Sequence, residues 1–359
     1  MLYSTSIGLD VHARSVNAAA FIPETGEVIE TSLPYDSDAI IKWIKKLPSP
    51  ARCVYESGPT GYDLLRKLRA ADIWCVIGAV SKMLRPSGDR IKNDKRDAVF
   101  LARMLAVGNV VEVYVPNEED EAARDLVRAR EDIRQELTRA KQLLSNLLLR
   151  KGIVYDEGKT SWTKTHRKWL RKIKLSTSIE NLVLSEYLMS IEEIERKRDR
   201  LDTAIMRLSS SERWKNTVSA ICLLRGVSVL TAFAIAVEIG DFGRFKNASA
   251  FYSFLGLVPS LKESGDSSVK GSITKTGNIH VRKLLVEAAW HHKRKYYPSV
   301  QSPSCDIAPE VLQVAKKANI RLHDRAVYLS KRRIHPCKVN VAVARETAGF
   351  IWALANLVQ

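Results

Sequence analysis

The chain has 359 residues, enough for two domains or more and a sizeable core, and its 45% apolar content fits a soluble globular protein. Lys and Arg number 57 against 40 for Asp and Glu, a formal net charge of +17 that points to a polyanionic partner. Several classes are excluded. The best apolar run, Val229 to Val237, is too short to span a bilayer, which needs about 20 residues, and Asp10, His12 and Arg14 interrupt any signal-peptide core. Five scattered cysteines (Cys53, Cys75, Cys222, Cys305, Cys337) include no C-x-x-C pair, so neither a zinc site nor a disulfide framework is expected, and a reducing cytoplasm is.

The first elements read as strands. Ile7, Leu9 and Val11 alternate through Ser6 to His12, Ser15 to Ile22 is β-rich, and Glu24-Thr25-Gly26 turns the chain into a third strand, Glu27 to Leu33. Asp10 falls inside the first strand. A carboxylate beside a core face costs stability unless a charge offsets it, and a divalent cation is the usual means. Ser37 to Lys46 reads as a helix, Ala51 to Glu56 as a strand ending in an acid, Tyr62 to Ala71 as a helix and Ile73 to Ile77 as a strand. The alternation predicts an α/β sheet with helices packed on it. Asp94 and Asp97, three residues apart at a helix start, share a face. Asp94 also suits an N-cap. Two-metal phosphoryl transfer needs just such a set, because two cations about 3.5–4 Å apart must share carboxylates.

Gly8-Leu9-Asp10-Val11-His12, Tyr55-Glu56-Ser57-Gly58-Pro59-Thr60-Gly61-Tyr62 and Lys92-Asn93-Asp94-Lys95-Arg96-Asp97-Ala98 resemble the three acidic motifs of the DEDD transposases of bacterial and archaeal insertion sequences, the IS110 family. The resemblance implies a ribonuclease-H-like fold similar to the RuvC resolvase over residues 1–115. It also implies that Asp10, Glu56, Asp94 and Asp97 hold Mg2+ or Mn2+.

Two long helices follow, Asn117 to Gly152 and Ser178 to Ser210. In the second, Leu184, Tyr187, Ile191, Ile194, Arg198, Leu201, Ile205 and Leu208 alternate spacings of three and four, the heptad seam of a coiled coil, either within one chain or between two. Residues 116–214 therefore read as a linker and assembly region. Between the helices, Lys164, Arg167, Lys168, Trp169, Arg171 and Lys172 combine positive charge with a stacking ring, a nucleic-acid pattern that also fits a solvated basic helix face.

Residues 215–359 read as mostly helical. Two helices flank Gly226-Val227-Ser228, resembling a helix-hairpin-helix whose turn offers backbone N–H groups to phosphates; Ser228 stands where the family often has a second glycine. The segment from Pro259 to Asn278 reads as a Ser/Gly/Lys-rich loop of a kind that binds phosphate oxygens. Lys270, Lys275 and the following Arg282 are its candidate contacts. The resemblance makes this loop the signature of the family's second domain and Ser264 its nucleophile, with Ser260, Ser267, Ser268 and Ser272 as rivals. No obvious Ser-His-Asp set surrounds Ser264; His280, His291 and His292 are candidates only by proximity and are expected to be surface or phosphate contacts. Ala344-Arg345-Glu346 and Phe350-Ile351-Trp352 in the last helix extend the resemblance to the end of the chain.

Together these imply strand cleavage and rejoining of element and target DNA through a phosphoserine–DNA intermediate at a composite site. They also imply a non-coding guide RNA from the element, and a dimer or tetramer in the synapse, with the Leu184–Leu208 seam as a contact. The rival readings are a RuvC-like structure-specific nuclease that uses water, a DNA invertase without RNA, and a basic architectural protein with structural acids.

Overall fold

The computed structural model describes residues 3–83, 94–264, 267–294 and 307–359, with residues 81, 94, 95, 262–264 and 267–270 described by backbone alone. The chain divides into two units, Met1–Pro116 and Asn117–Gln359. In the first, strands β1 (Thr5–Val11), β2 (Ser15–Ile22) and β3 (Glu27–Pro34) form an antiparallel meander. Helix α1 (Ser37–Ile44), β4 (Ala51–Glu56), α2 (Asp63–Ala70), β5 (Trp74–Gly78) and α3 (Asp94–Ala106) follow. The five strands lie in the order β3-β2-β1-β4-β5, with β4 parallel to β1 and to β5. The mixed α/β architecture is the one the strand and helix alternation predicts.

The pleat assigns each strand residue to one of two layers. Ile7, Leu9, Cys53, Tyr55, Cys75 and Ile77 pack with Ile40 of α1 and Leu64, Leu65 and Leu68 of α2. Val54 and Val76, on the opposite side, pack with Leu101 and Leu105 of α3. Gly8 also faces α3. A Cβ there would run into the Ala98 carbonyl oxygen and stand 2.6 Å from the Ala102 nitrogen, so the bare backbone is what lets α3 lie against β1.

The second unit opens with α4 (Glu118–Arg150), α5 (Lys164–Lys172) and α6 (Ser178–Ser209), the last begun by a Thr177–Glu180 capping box. Here the structure corrects one expectation. The apolar seam of α6 is filled from its own chain: Leu184, Ile191 and Ile194 are buried against Leu137, Leu144, Leu147 and Leu148 of α4 and Leu170 of α5. Cross-helix charge pairs fix that hairpin. Arg130 forks onto Asp202 at 2.7 and 3.3 Å, and Lys151 pairs with Glu180. A seam already closed within one chain is not a contact for a second copy.

The rest comprises α7 (Lys215–Cys222), α8 (Val229–Ile239), α9 (Ala248–Phe254), β6 (Pro259–Ser264), β7 (Ser267–Ile273), α10 (Ile279–Ala289), α11 (Pro309–Lys331) and α12 (Pro336–Asn356). Its core gathers Phe233, Phe242, Phe251, Leu285, Leu322 and Ile351 around the nearly wholly buried α8. The expected Ser/Gly/Lys loop is instead an antiparallel hairpin of β6 and β7. No helix among the described residues is long and apolar enough to cross a membrane.

Candidate functional site

Asp10 and Glu56 each follow the last paired residues, Leu9 and Tyr55, of two adjacent parallel strands. By the alternation of the pleat Asp10 shares the face of Gly8, and Glu56 that of Val54, which is the face α3 covers. The direction of α3 follows from two contacts. At its carboxyl end the Ala106 carbonyl accepts from Arg52 Nη2 at 3.3 Å, beside the start of β4, and four to eight residues earlier Ala102 and Ala98 lie over Gly8. One further turn, about 6 Å of helix rise, carries the chain towards Asp10 and Glu56. The amino-terminal turn of α3, with Asp94 and Asp97, therefore lies at the sheet end that bears the other two acids.

Asp10 is three-quarters buried as a side chain and its Oδ2 lies 3.0 Å from His12 Nε2. Glu56 is exposed and Asp97 half-buried. The Asp94 side chain lies outside the described residues. Among the described residues no three His, Cys, Asp or Glu groups are close enough to hold a metal ion. The donor chemistry nonetheless fits one: hard carboxylate oxygens from two strand ends and one helix start are the ligand type that divalent oxygen-seeking cations take.

The backbone of Ser264 is the last paired residue of β6, opposite Ser267, and Glu263 stands opposite Ser268. The side chains of Ser264, Ser267, Ser268 and Lys270 lie outside the described residues. Ser260 is half-buried and Ser272 exposed. A buried acid absent from the expectations above joins α8 to α4 and to the start of α10. Glu238, in the mostly apolar α8, is buried; it accepts from Arg128 Nε and Nη2 at 2.8 and 3.1 Å and from Asn278 Nδ2 at 2.8 Å. Burial opposes its ionised form, but the bonds from Arg128 and Asn278 hold its carboxyl below the usual range. An acid inside so apolar a run was the available signal, since it needs a cation or donors to balance it.

Several basic candidates have other tasks. Arg282 is buried and its Nη1 donates to the carbonyls of Leu255 and Thr276, both at 2.9 Å, so it ties the α9 end to the loop after β7 and does not line a nucleic-acid path. Arg167 forks onto Glu195 at 2.6 and 2.7 Å; with Lys141 it holds that carboxyl down at about 2. Arg171 pairs with Glu192 at 2.9 Å. Trp169 stacks on His166 at 5.5 Å between centroids and meets Tyr155 edge-on, so its half-buried ring is engaged within the protein. Lys164, Lys168 and Lys172 are exposed at intervals of four along α5, one solvent-facing row. Lys275, exposed, sits at a left-handed turn with φ 57°.

The turn between α7 and α8 is also engaged internally. The Arg225 N–H donates to Asn319 Oδ1 at 2.8 Å and the Val227 N–H to the Leu224 carbonyl at 3.2 Å. Ser228 caps α8 by accepting from the Thr231 N–H. Two of the turn's backbone donors, those of Arg225 and Val227, are thus taken up within the chain.

Comparison with known proteins bears on the whole chain. A DEDD transposase model of the IS110 group matches residues 7–152, and a model described as the transposase IS116/IS110/IS902 family matches residues 218–303. The transposase y4qE of Sinorhizobium fredii is 36% identical over 360 residues, covering 98% of this chain and 88% of the relative. The chain belongs to the IS110 family of transposases. Other relatives agree. The transposase for IS1533 of Leptospira borgpetersenii is 30% identical over 91% of this chain and 97% of its own. The transposase for IS1111A of Coxiella burnetii is 23% identical over 55% of this chain and 54% of its own. This IS110-family transposase is thus an enzyme of DNA transposition, and its DEDD match points to a divalent metal cofactor.

Proposed function

We propose that this transposase is an RNA-guided recombinase that cuts and rejoins insertion-sequence and target DNA with Ser264 as nucleophile. Its first domain, residues 1–115, is on this reading ribonuclease-H-like and similar to RuvC. Residues 116–214 form a helical linker, and residues 215–359 the serine-bearing transposase domain. The observation that carries the metal-dependent part of the reading is the placement of Asp10, Glu56 and the amino-terminal turn of α3 at one sheet end in a chain of this family. Asp10, Glu56, Asp94 and Asp97 would hold Mg2+ or Mn2+, which when bound supplies Lewis-acid stabilisation of charge on phosphate oxygens.

The Ser264 hydroxyl attacks the scissile phosphorus. A serine O–P bond forms, the P–O bond to the leaving sugar oxygen breaks, the serine proton is lost to a base and the leaving oxygen gains one. A sugar hydroxyl of the partner strand then reverses the exchange and frees the serine. The net charge of +17 suits a protein that grips phosphates while an RNA from the element reads sequence by base pairing with both DNA partners. A dimer or tetramer in the prokaryotic cytoplasm would hold the two duplexes.

Two measurements test this. Ser264→Ala should abolish the covalent protein–DNA adduct, seen as a denaturant-stable band shift, while leaving non-covalent DNA binding within about twofold, because a lone hydroxyl contributes little beside many phosphate contacts. An adduct that survives moves the nucleophile to another serine. The protein expressed with its flanking DNA should co-purify with one discrete RNA from that flank. Random RNA or none favours the DNA invertase. Cleavage with neither adduct nor RNA dependence favours a RuvC-like nuclease.

A further inference from the structure

The outer face of α11 carries an arrangement that neither the acidic site nor the β6–β7 hairpin uses. Lys317, Ile320, Arg321, Asp324, Arg325 and Tyr328 line a shallow, largely open depression of about 500 Å³ along one face of the helix. Two of its members are exposed apolar bodies: Ile320 at 47% and Tyr328 at 52%. The cations are held in place. Arg321 and Arg325 both reach Glu346 of α12, at 3.0 and 3.1 Å, and with Lys317 the three cations outnumber the two carboxylates, Glu346 and Asp324, by one. Arg332 donates to the Tyr328 hydroxyl at 3.3 Å, and the guanidiniums of Arg325 and Arg332 lie 6.0 and 5.7 Å from its ring centroid. An exposed tyrosine alone is ordinary. A tyrosine steadied between two arginines, at one end of a cationic depression with an apolar wall, combines a stacking surface with phosphate donors.

We infer that this face of α11 binds an unpaired stretch of nucleic acid, with one base stacked on Tyr328 and phosphates further along the same strand held by Arg321 and Lys317. Charge complementarity selects a polyanion. The aromatic and Ile320 select unstacked bases over duplex, whose base faces are hidden in the stack. Lys317 and Tyr328 are eleven residues apart, about 16 Å along the helix at 1.5 Å per residue, a length that a few nucleotides of one strand span. The inference rests on the family's handling of nucleic acid and on neither the guide RNA nor Ser264.

The test uses the full-length protein with Tyr328→Ala, Tyr328→Phe and Lys317→Gln. Affinities are measured for fluorescent dT and rU oligonucleotides and for a DNA duplex, and halogenated versions of both oligonucleotides are photo-crosslinked and mapped. Tyr328→Ala should weaken single-strand binding by about tenfold, the usual worth of one base–aromatic stack, while Tyr328→Phe holds within about twofold and duplex binding is unchanged. Lys317→Gln should lower the salt slope of single-strand binding by about one. Loss confined to dT or to rU identifies the strand as DNA or RNA, and loss in both assigns a shared seat. Crosslinks should map to the peptide containing Tyr328. Unchanged affinity for both oligonucleotides in Tyr328→Ala, or crosslinks only outside α11, overturns the inference. Because Ser264 stays intact throughout, failure here is separable from failure of the serine scheme.

Discussion

Asp10→Asn is expected to stop DNA strand cleavage, by on the order of 10³-fold or more, while DNA affinity stays within about twofold. The substitution preserves the shape of the side chain and removes its charge. Asp10 sits where β1 leaves the buried part of the sheet, beside the end of β4 that carries Glu56 and under the helix that begins at Asp94. Its side chain is only 23% exposed, so its charge acts in surroundings poorer in water than a surface acid's and is correspondingly harder to replace. Loss of several kcal/mol of transition-state stabilisation corresponds to about 10³-fold at 1.36 kcal/mol per decade. Cleavage assays supply one readout. Calorimetric titration of the protein with Mn2+ supplies another, and it should lose the carboxylate-dependent binding even where no DNA is present. Full cleavage by Asp10→Asn would sink the assignment of the acid set. Intact Mn2+ binding with lost cleavage would leave Asp10 catalytic but move the cation to the other three acids.

Gly8→Ala is expected to destabilise the first unit by about 3 kcal/mol, the upper part of the usual cost of overpacking a filled core. The added methyl would collide with the Ala98 carbonyl oxygen and stand 2.6 Å from the Ala102 nitrogen and 2.8 Å from the Leu101 Cβ. Two of those atoms are helix backbone, so no side-chain rotation relieves the overlap and α3 itself must move. For a unit of this size that cost corresponds to a fall of roughly 10–20 °C in its unfolding transition. Differential scanning calorimetry of the whole protein reads it as a shift in one transition and not in that of the helical unit. Activity should fall further than stability alone explains, because the helix that shifts is the one bearing Asp94 and Asp97. A melting profile identical to that of the parent would show that the helix is not held against β1 as described.

The acidic residues were legible because each stands in a local pattern. Asp10 interrupts a strand alternation, Glu56 ends a strand, and Asp94 and Asp97 open an amphipathic helix; their grouping follows once β4 is laid parallel to β1. The strands and helices of the first unit were legible for the same reason, since periods of 2 and 3.6 are written over a few neighbouring residues. The heptads of α6 were equally plain, but their partner was not. Nothing within residues 178–209 says that Leu184 and Ile191 meet Leu144 and Leu148 of the same chain. The β6–β7 hairpin escaped because its Ser, Gly and Lys residues have weak strand preference and become strands only by pairing with one another.

The basic residues show the division most sharply. The sequence by itself determined how many there are, and with them the +17 charge and the polyanionic partner. Which ones can reach a phosphate was decided by tertiary structure alone. Arg282 is spent on two buried carbonyls and Arg167 on Glu195, 28 residues away, while Lys164, Lys168 and Lys172 remain in solvent. The physical reason is that a long cationic side chain has no local preference between water, a carboxylate and a carbonyl cage. The choice is made by whatever distant segment packs beside it, and by the cost of leaving a buried charge unpaired.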